Sequence, residues 1–377
     1  MTTTMDEELL QDEASLLDGD DDLMPAPTER AEAGSGEPTA DGLYEHFRFT
    51  ADRGQGPVRV DRFLVDRIVG TTRSRVQKAA DAGMIFVNGR PEKSSYKVKP
   101  LDVVAVMMDR PRHVLEILPE DIPLDAVYED DDVLVVNKPA GLVVHPGCGN
   151  YHGTLVNALA WRFRDEPEAT EGFDDRARLG LVHRIDKDTS GLLVVAKNEA
   201  ARSALALQFL RKTTRRRYTA LVWGHVAQDE GRIEGNIGRN PKDRLQMAVF
   251  PPGGDEGKPA VTHYRVLERL GYVTLVECVL ETGRTHQIRV HMQSVGHTLF
   301  NDARYGGDRI LKGTTFARYG QFVQNCFKVC PRQALHARTL GFRHPRTGEE
   351  MDFEAPLPPD MTALTERWRA YVAGREA

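Results

Sequence analysis

The stretch HRIDKDTSGLLVVAKN, His183–Asn198, sets a polar, charged turn directly against five apolar residues. Asp186, Asp188, Ser190 and Gly191 fall at the spacing that opens an EF-hand loop, with oxygen ligands on alternate residues before a sharp glycine turn. With Asp186 as position one, position twelve is Lys197, a cation where a bidentate glutamate must close the shell. Leu192–Ala196 is apolar and reads as a strand, not as the start of an exiting helix. The calcium reading fails on its ligand count. Asp, Thr, Ser and Gly are also ordinary turn residues, so Asp186 either accepts turn hydrogen bonds or does chemistry. The surrounding sequence decides between these.

Around this turn, residues 122–370 mix strands and helices without a strict βαβ repeat. AVYEDDDVLVVNKPAGLVVHPG reads as short strands broken by Pro139-Ala140-Gly141 and Pro146-Gly147. GTLVNALAWRF and EAARSALALQFLR read as helices. Strand-like stretches flank the turn, YTALVWGHV is a strand, and GYVTLVECVLETGR is a pair of strand-like segments. THQIRVHMQSVG is helical through its middle and stops at Gly296. This pattern predicts an α+β domain around a mixed, largely antiparallel sheet with flanking helices. It contains no G-x-G-x-x-G, P-loop or G-x-S-x-G, so nucleotide-cofactor and serine-hydrolase readings lack their usual support.

Residues 58–106 form a smaller unit of two helices followed by a strand, an Asn88-Gly89 turn and two more short strands. VDRFLVDRI puts Val60, Phe63, Leu64 and Ile68 on one helical face, and TRSRVQKAADAG is a second helix ending at Gly83. The outward positions of the second helix carry Arg73, Arg75, Gln77 and Lys78. Such a face suits either a phosphate backbone or plain solvent. A linker containing RPRH (Arg110–His113) joins the two units.

Residues 1–45 hold fourteen acidic residues and one basic one, whereas the remaining 332 hold 49 basic and 42 acidic. The overall net charge of −6 therefore hides an acidic tail on a mildly basic body. The tail, rich in Pro, Gly, Ala and charge, cannot bury enough apolar surface to offset its ordering entropy and is read as disordered. It serves either as a solvating segment or as a competitor with RNA for the basic body. No apolar run approaches the roughly 20 residues of a membrane helix, and the start lacks a signal peptide's basic and apolar regions. Four cysteines in 377 residues make no disulfide framework, which points to a reducing cytoplasm. Cys326, Cys330 and His336 hint at metal spacing but fall short of the four ligands of a structural zinc site, so no metal is expected.

HRIDKDTSGLLVVAKN, with VVNKPAGLVVHPG before it and TGRTHQIRVHM after it, resembles the RluA-type RNA pseudouridine synthases. The 58–106 unit resembles the S4-type RNA-binding domain often fused in front of them. Together they resemble the RluD-like branch, which modifies large-subunit (23S) ribosomal RNA. The resemblance spans residues 45–370 and leaves the acidic tail outside. It implies an isomerase that detaches uracil from its ribose, rotates it and reattaches it through carbon 5. The product is an isomer of the substrate, so no cofactor is called for. Ribosomal RNA or a precursor particle of the large subunit is the expected partner, and a monomer the expected state. Two other readings are an inactive ribosome-assembly factor and the same enzyme acting on transfer RNA.

The resemblance also assigns residues. Asp186 is the essential aspartate, suited to stabilise charge, form an adduct or take a proton at the sugar. Arg289 is its basic partner, Tyr218 the ring that stacks on the base and relays a proton, and Arg184 the side chain that fills the gap left by the extruded base. Outside the resemblance, Arg289 is equally a helix-surface cation and Tyr218 equally core packing. Thr189, Ser190 and Gly191 then fix the loop, Asp188 is structural, and His183 is structural or in contact with backbone. RKTTRRRY, Arg211–Tyr218, holds five cations in eight residues with nothing acidic. Arg215, Arg216 and Arg217 are therefore candidate RNA contacts alongside Arg73, Arg75 and Lys78.

Overall fold

The computed structural model describes residues 42–68, 71–108, 117–146, 150–165, 179–243 and 245–376. The acidic segment up to Asp41, the RPRH linker, Gly147 and Cys148 lie outside these residues. The chain divides into two units, one ending at Glu116 and one resuming at Ile117.

In the first unit, β1 (Tyr44–Thr50) precedes β2 (Val58–Arg59), α1 (Val60–Val65), α2 (Arg73–Asp81), β3 (Ile85–Val87), β4 (Arg90–Pro91), β5 (Lys97–Val98) and β6 (Val103–Met108). β1 pairs antiparallel with β6, so a strand ahead of residue 58 joins the sheet of this unit. Val60, Phe63, Leu64 and Ile68 are all buried, as the helical pattern requires. The buried Asp61 carboxylate accepts from Arg59 at 2.9 Å, Arg73 at 3.1 Å and Gln77 at 3.0 Å, stitching α1 to α2. Two of the four outward donors, the exposed Arg73 and the half-buried Gln77, are thus tied to Asp61. Lys78 remains exposed and Arg75 half-buried.

The second unit runs through β7 (Ala126–Glu129), β8 (Val133–Lys138), α3 (Leu155–Arg162), β9 (Ser190–Ala196), α4 (Glu199–Leu210), β10 (Arg215–Trp223), β11 (Glu230–Arg239), β12 (Met247–Phe250), β13 (Lys258–Leu270) and β14 (Val273–Leu280). It ends with α5 (Gln287–Ser294), α6 (Ala317–Val329), β15 (Leu335–Arg343), β16 (Glu350–Glu354) and α7 (Pro359–Glu376). One ten-stranded sheet has the order β12-β11-β13-β14-β10-β15-β9-β8-β7, with β16 on β15. The β15–β9 pairing is parallel and the neighbouring pairings antiparallel, which matches the mixed, largely antiparallel expectation. GYVTLVECVLETGR contributes one strand, not two. Upstream of the 183–191 turn, where a strand is expected, the described residues form only an isolated bridge from Leu181 to Val195.

β10 runs between β14 and β15, and the period-two alternation of a strand sends its side chains into two cores. Tyr218, Ala220 and Val222 join Ile185, Ile288 and Leu299 on one side, while Leu221 and Trp223 pack with Phe300 and Trp368 on the other. The 183–191 turn is clamped from several elements. Buried Lys138 donates to the carbonyls of Pro139, Leu142 and Lys187 at 2.8, 2.8 and 2.9 Å. Arg332 donates to the Asp188 carbonyl at 2.9 Å and the Ser190 hydroxyl at 3.2 Å. Ser190 Oγ also lies 3.0 Å from His336 Nδ1. His336 therefore braces the turn instead of joining Cys326 and Cys330, and those cysteines are free and buried.

Gly191 lets β9 meet β15. Its φ is +117°, and a Cβ there would lie 2.2 Å from the Ala337 carbonyl oxygen. Gly191→Ala is expected to lower stability by about 2–4 kcal/mol, from backbone strain plus the clash with a fixed carbonyl. The urea midpoint of the purified variant measures this, and an unchanged midpoint would refute the close approach.

Candidate active site

Asp186 lies in the turn ahead of β9, where the Thr189 amide donates to its carbonyl at 3.1 Å and leaves the carboxylate to face a cavity. The cavity measures about 280 Å³, close to the lower end of small-ligand pockets at roughly 300 Å³. Arg184, Asp186, Arg216, Tyr218, His286 and Arg289 all line it.

Arg289 is on α5, a helix buried nearly all round, so its polar side chains need partners inside the protein. Gln287 bonds Thr282, Thr262 and the Val261 carbonyl, and His291 bonds Thr262. Arg289 spends its fork on two carboxylates. Nε and Nη2 donate to Asp302 at 2.8 and 2.9 Å, and Nη1 donates to Asp186 at 2.9 Å. The reading of Arg289 as a helix-surface cation is thereby excluded, since it is 6% exposed. A bidentate carboxylate on one side fixes the plane of the guanidinium and aims the remaining N–H at Asp186.

Burial works against the charge of Asp186, but His286 and the Arg289 guanidinium outweigh it and hold the carboxyl below its usual range. His286 Nε2 lies 4.0 Å from the Asp186 carboxylate. Burial pushes this imidazole down to about 4, so it is neutral at pH 7. The Tyr305 hydroxyl accepts from the Met247 amide at 3.0 Å and lies within hydrogen-bond distance of His286 Nδ1, 2.9 Å away. His286 holds this position with a left-handed φ of +55° at the start of α5.

Tyr218 is 7% exposed. Burial raises its pKa, so the side chain is a neutral phenol, able to stack on a ring and to pass a proton. His183 accepts the Val194 amide at 3.0 Å through Nε2, in agreement with the expected backbone contact.

The RKTTRRRY run separates once folded. Arg215 is paired with Glu350 at 2.6 Å and Asp352 at 3.0 Å, and Arg217 with Glu277 at 3.4 Å. Arg216 is buried and lines the cavity. The three arginines named as candidate RNA contacts therefore differ in setting, two exposed and ion-paired and the middle one buried. Strand alternation turns the middle arginine inward, and β14 and β16 supply the acids that the local sequence lacks.

Three contributors went unnoticed in the sequence: Asp302, Lys138 and His286. Asp302 lies thirteen residues beyond Arg289 in NDARYG, with no pattern to couple the two. Asp130, Asp132 and His344 also gather closely enough to suggest a cation site. Their oxygens already accept from Tyr128, Asn198, Arg346 and two backbone amides, so the cluster is a polar clamp.

Residues 132–294 match the family model described as RNA pseudouridylate synthase, and residues 58–104 match the S4 domain. The chain is 45% identical to an uncharacterized RNA pseudouridine synthase of Chlorobaculum parvum, over 86% of this chain and 98% of that one. It is 47% identical to the uncharacterized RNA pseudouridine synthase YlyB of Bacillus subtilis, over 85% and 97%. It is 44% identical to ribosomal large subunit pseudouridine synthase D of Zymomonas mobilis, over 81% and 92%. With this similarity along both units, and a carboxylate, an arginine and a tyrosine converging on one cavity, the chain belongs to the RNA pseudouridine synthase family and carries an S4 domain ahead of the catalytic unit.

Proposed function

We propose that the enzyme converts uridine to pseudouridine in large-subunit ribosomal RNA, with Asp186 acting at the ribose, Tyr218 holding the base and Arg289 orienting the carboxylate. The observation that carries this reading is the buried Asp186–Arg289 pair at 2.9 Å in the wall of the cavity that Tyr218 shares. An ionised carboxylate there meets positive charge or an acidic proton as the glycosidic bond opens. The uracil has to leave its stack to reach such a site, and Arg184 at the cavity is suited to occupy the space it vacates. The relatives named as large-subunit enzymes support ribosomal RNA as the substrate class, and the S4 unit supplies a second contact to it. A precursor particle is the proposed partner, with the enzyme acting as a monomer in the cytoplasm.

Deleting the gene tests the substrate. Pseudouridine is expected to disappear at one or more positions of large-subunit RNA and to return on complementation. Losses confined to transfer RNA would overturn the ribosomal assignment. No loss in any RNA would favour an inactive assembly factor.

A further inference from the structure

Arg216 is a buried cation that the roles above leave unused. It is 8% exposed, its Nε–H has no acceptor among the described residues, and no carboxylate there pairs with it. Its guanidinium carbon lies 5.2 Å from the centroid of the Phe209 ring. Leaving a guanidinium buried without an anion costs several kcal/mol, so a fold that keeps one in a cavity wall has an unmet partner. Space for it is reserved at Gly283, where an added Cβ would lie 2.9 Å from Arg216 Nη1.

His183 adds a second donor to the same cavity. Its Nε2 accepts the Val194 amide, so its proton is on Nδ1, and that buried Nδ1 has no acceptor among the described residues. His183 stacks on Phe209 with centroids 4.5 Å apart, so Phe209 links the two donors. Burial holds His183 neutral, pushed down to about 3. The pair offers one charged and one neutral N–H, which suits a delocalised monoanion with carbonyl oxygens.

The cavity is also polarised. Asp186, Arg289 and Asp302 together carry one net negative charge at one wall, and Arg216 carries a positive charge at another. Tyr218 feels both Arg216 and Asp186. Breaking the glycosidic bond separates charge in the same sense, with the sugar electron-poor and the base electron-rich.

We propose that Arg216, seconded by His183, is a further catalytic residue that binds the carbonyl edge of the target uracil and stabilises the uracil anion while it is detached. The C1′–N1 bond breaks with its electron pair leaving on the base, where the charge spreads over N1, O2 and O4. Carbon 5 then bonds to C1′, the proton on carbon 5 departs, and N1 takes up a proton. Arg216 stays protonated throughout. The proposal rests on this cavity being the place where the uridine reacts. A phosphate of the same nucleotide is the other oxygen ligand such a cation could hold.

The test uses full-length protein and RNA from the deletion strain, which holds the target unmodified whichever RNA carries it. Arg216→Gln is expected to lower the single-turnover rate at saturating RNA by about 10²-fold, the cost of losing one donor to a developing anion. RNA affinity should stay within about twofold and its salt slope should not change. Arg216→Lys should recover about a tenth of the wild-type rate. Gly283→Ala displaces the guanidinium without removing it and should cost about tenfold in rate at unchanged affinity. Wild-type rates in Arg216→Gln, or in both other variants should Arg216→Gln fail to fold, would overturn the proposal. Weakened binding with a salt slope reduced by about one, at an unchanged saturated rate, would also overturn it and assign Arg216 to a phosphate.

Discussion

Asp186→Asn is expected to abolish pseudouridine formation, lowering the single-turnover rate by more than about 10³-fold, while RNA binding changes little. The amide keeps the size of the side chain and one oxygen for Arg289 Nη1, so the turn and its clamps from Lys138 and Arg332 stay in place. What is lost is the charge, and with it every route by which the side chain could assist at the ribose. A variant with near wild-type turnover would remove Asp186 from the mechanism. The pH behaviour follows from the same pair. The folded-state pKa of Asp186 lies below the unfolded value, so its ionisation contributes stability above the unfolded pKa, and that contribution is lost as pH falls through the folded one. Asp186 stays ionised and His286 stays neutral from about pH 5 to about pH 7. The saturated rate of the wild-type enzyme should therefore show no titration of either group across that window.

The turn was legible in the sequence because its chemistry is local. Asp186, Thr189 and Gly191 lie within six residues, and the failure of the calcium spacing at Lys197 needs only counting. The sheet was legible for the same reason, since apolar strands separated by Pro and Gly turns announce themselves one at a time. Contacts across the fold were not. Lys138 precedes Lys187 by 49 positions, and nothing in NKPAG says that its ammonium will hold the carbonyls of a distant turn. The partners of the arginine run were not legible either, because charge counted along the chain says nothing of acids across the fold. Arg215 meets carboxylates about 135 residues away, so its cation is already spent within the fold. Arg216 differs from its neighbours only by strand parity, which depends on a register that the sequence does not state.

Asp302→Ala is expected to lower stability by about 3–5 kcal/mol and the saturated rate by about 10²-fold, although Asp302 is not placed in contact with substrate. Its carboxylate is fully buried and takes two of the three donors that Arg289 uses, so removing it leaves a buried guanidinium with a single partner. The loss of one fork also frees the guanidinium plane, and the N–H that meets Asp186 loses its aim. Calorimetry reads the first effect and single-turnover kinetics the second. Asp302→Asn separates charge from shape: it fills the same space but turns an amide toward the guanidinium, so stability should fall nearly as far. A double-mutant cycle decides between orientation and packing. Once Arg289→Met has removed the cation, adding Asp302→Leu should cost little further stability and is expected to recover part of what Arg289→Met lost, because the Asp302 carboxylate is then no longer buried without its cation. Additive losses in the double variant would mean that Asp302 stabilises the fold independently of Arg289, and its influence on Asp186 would need another route.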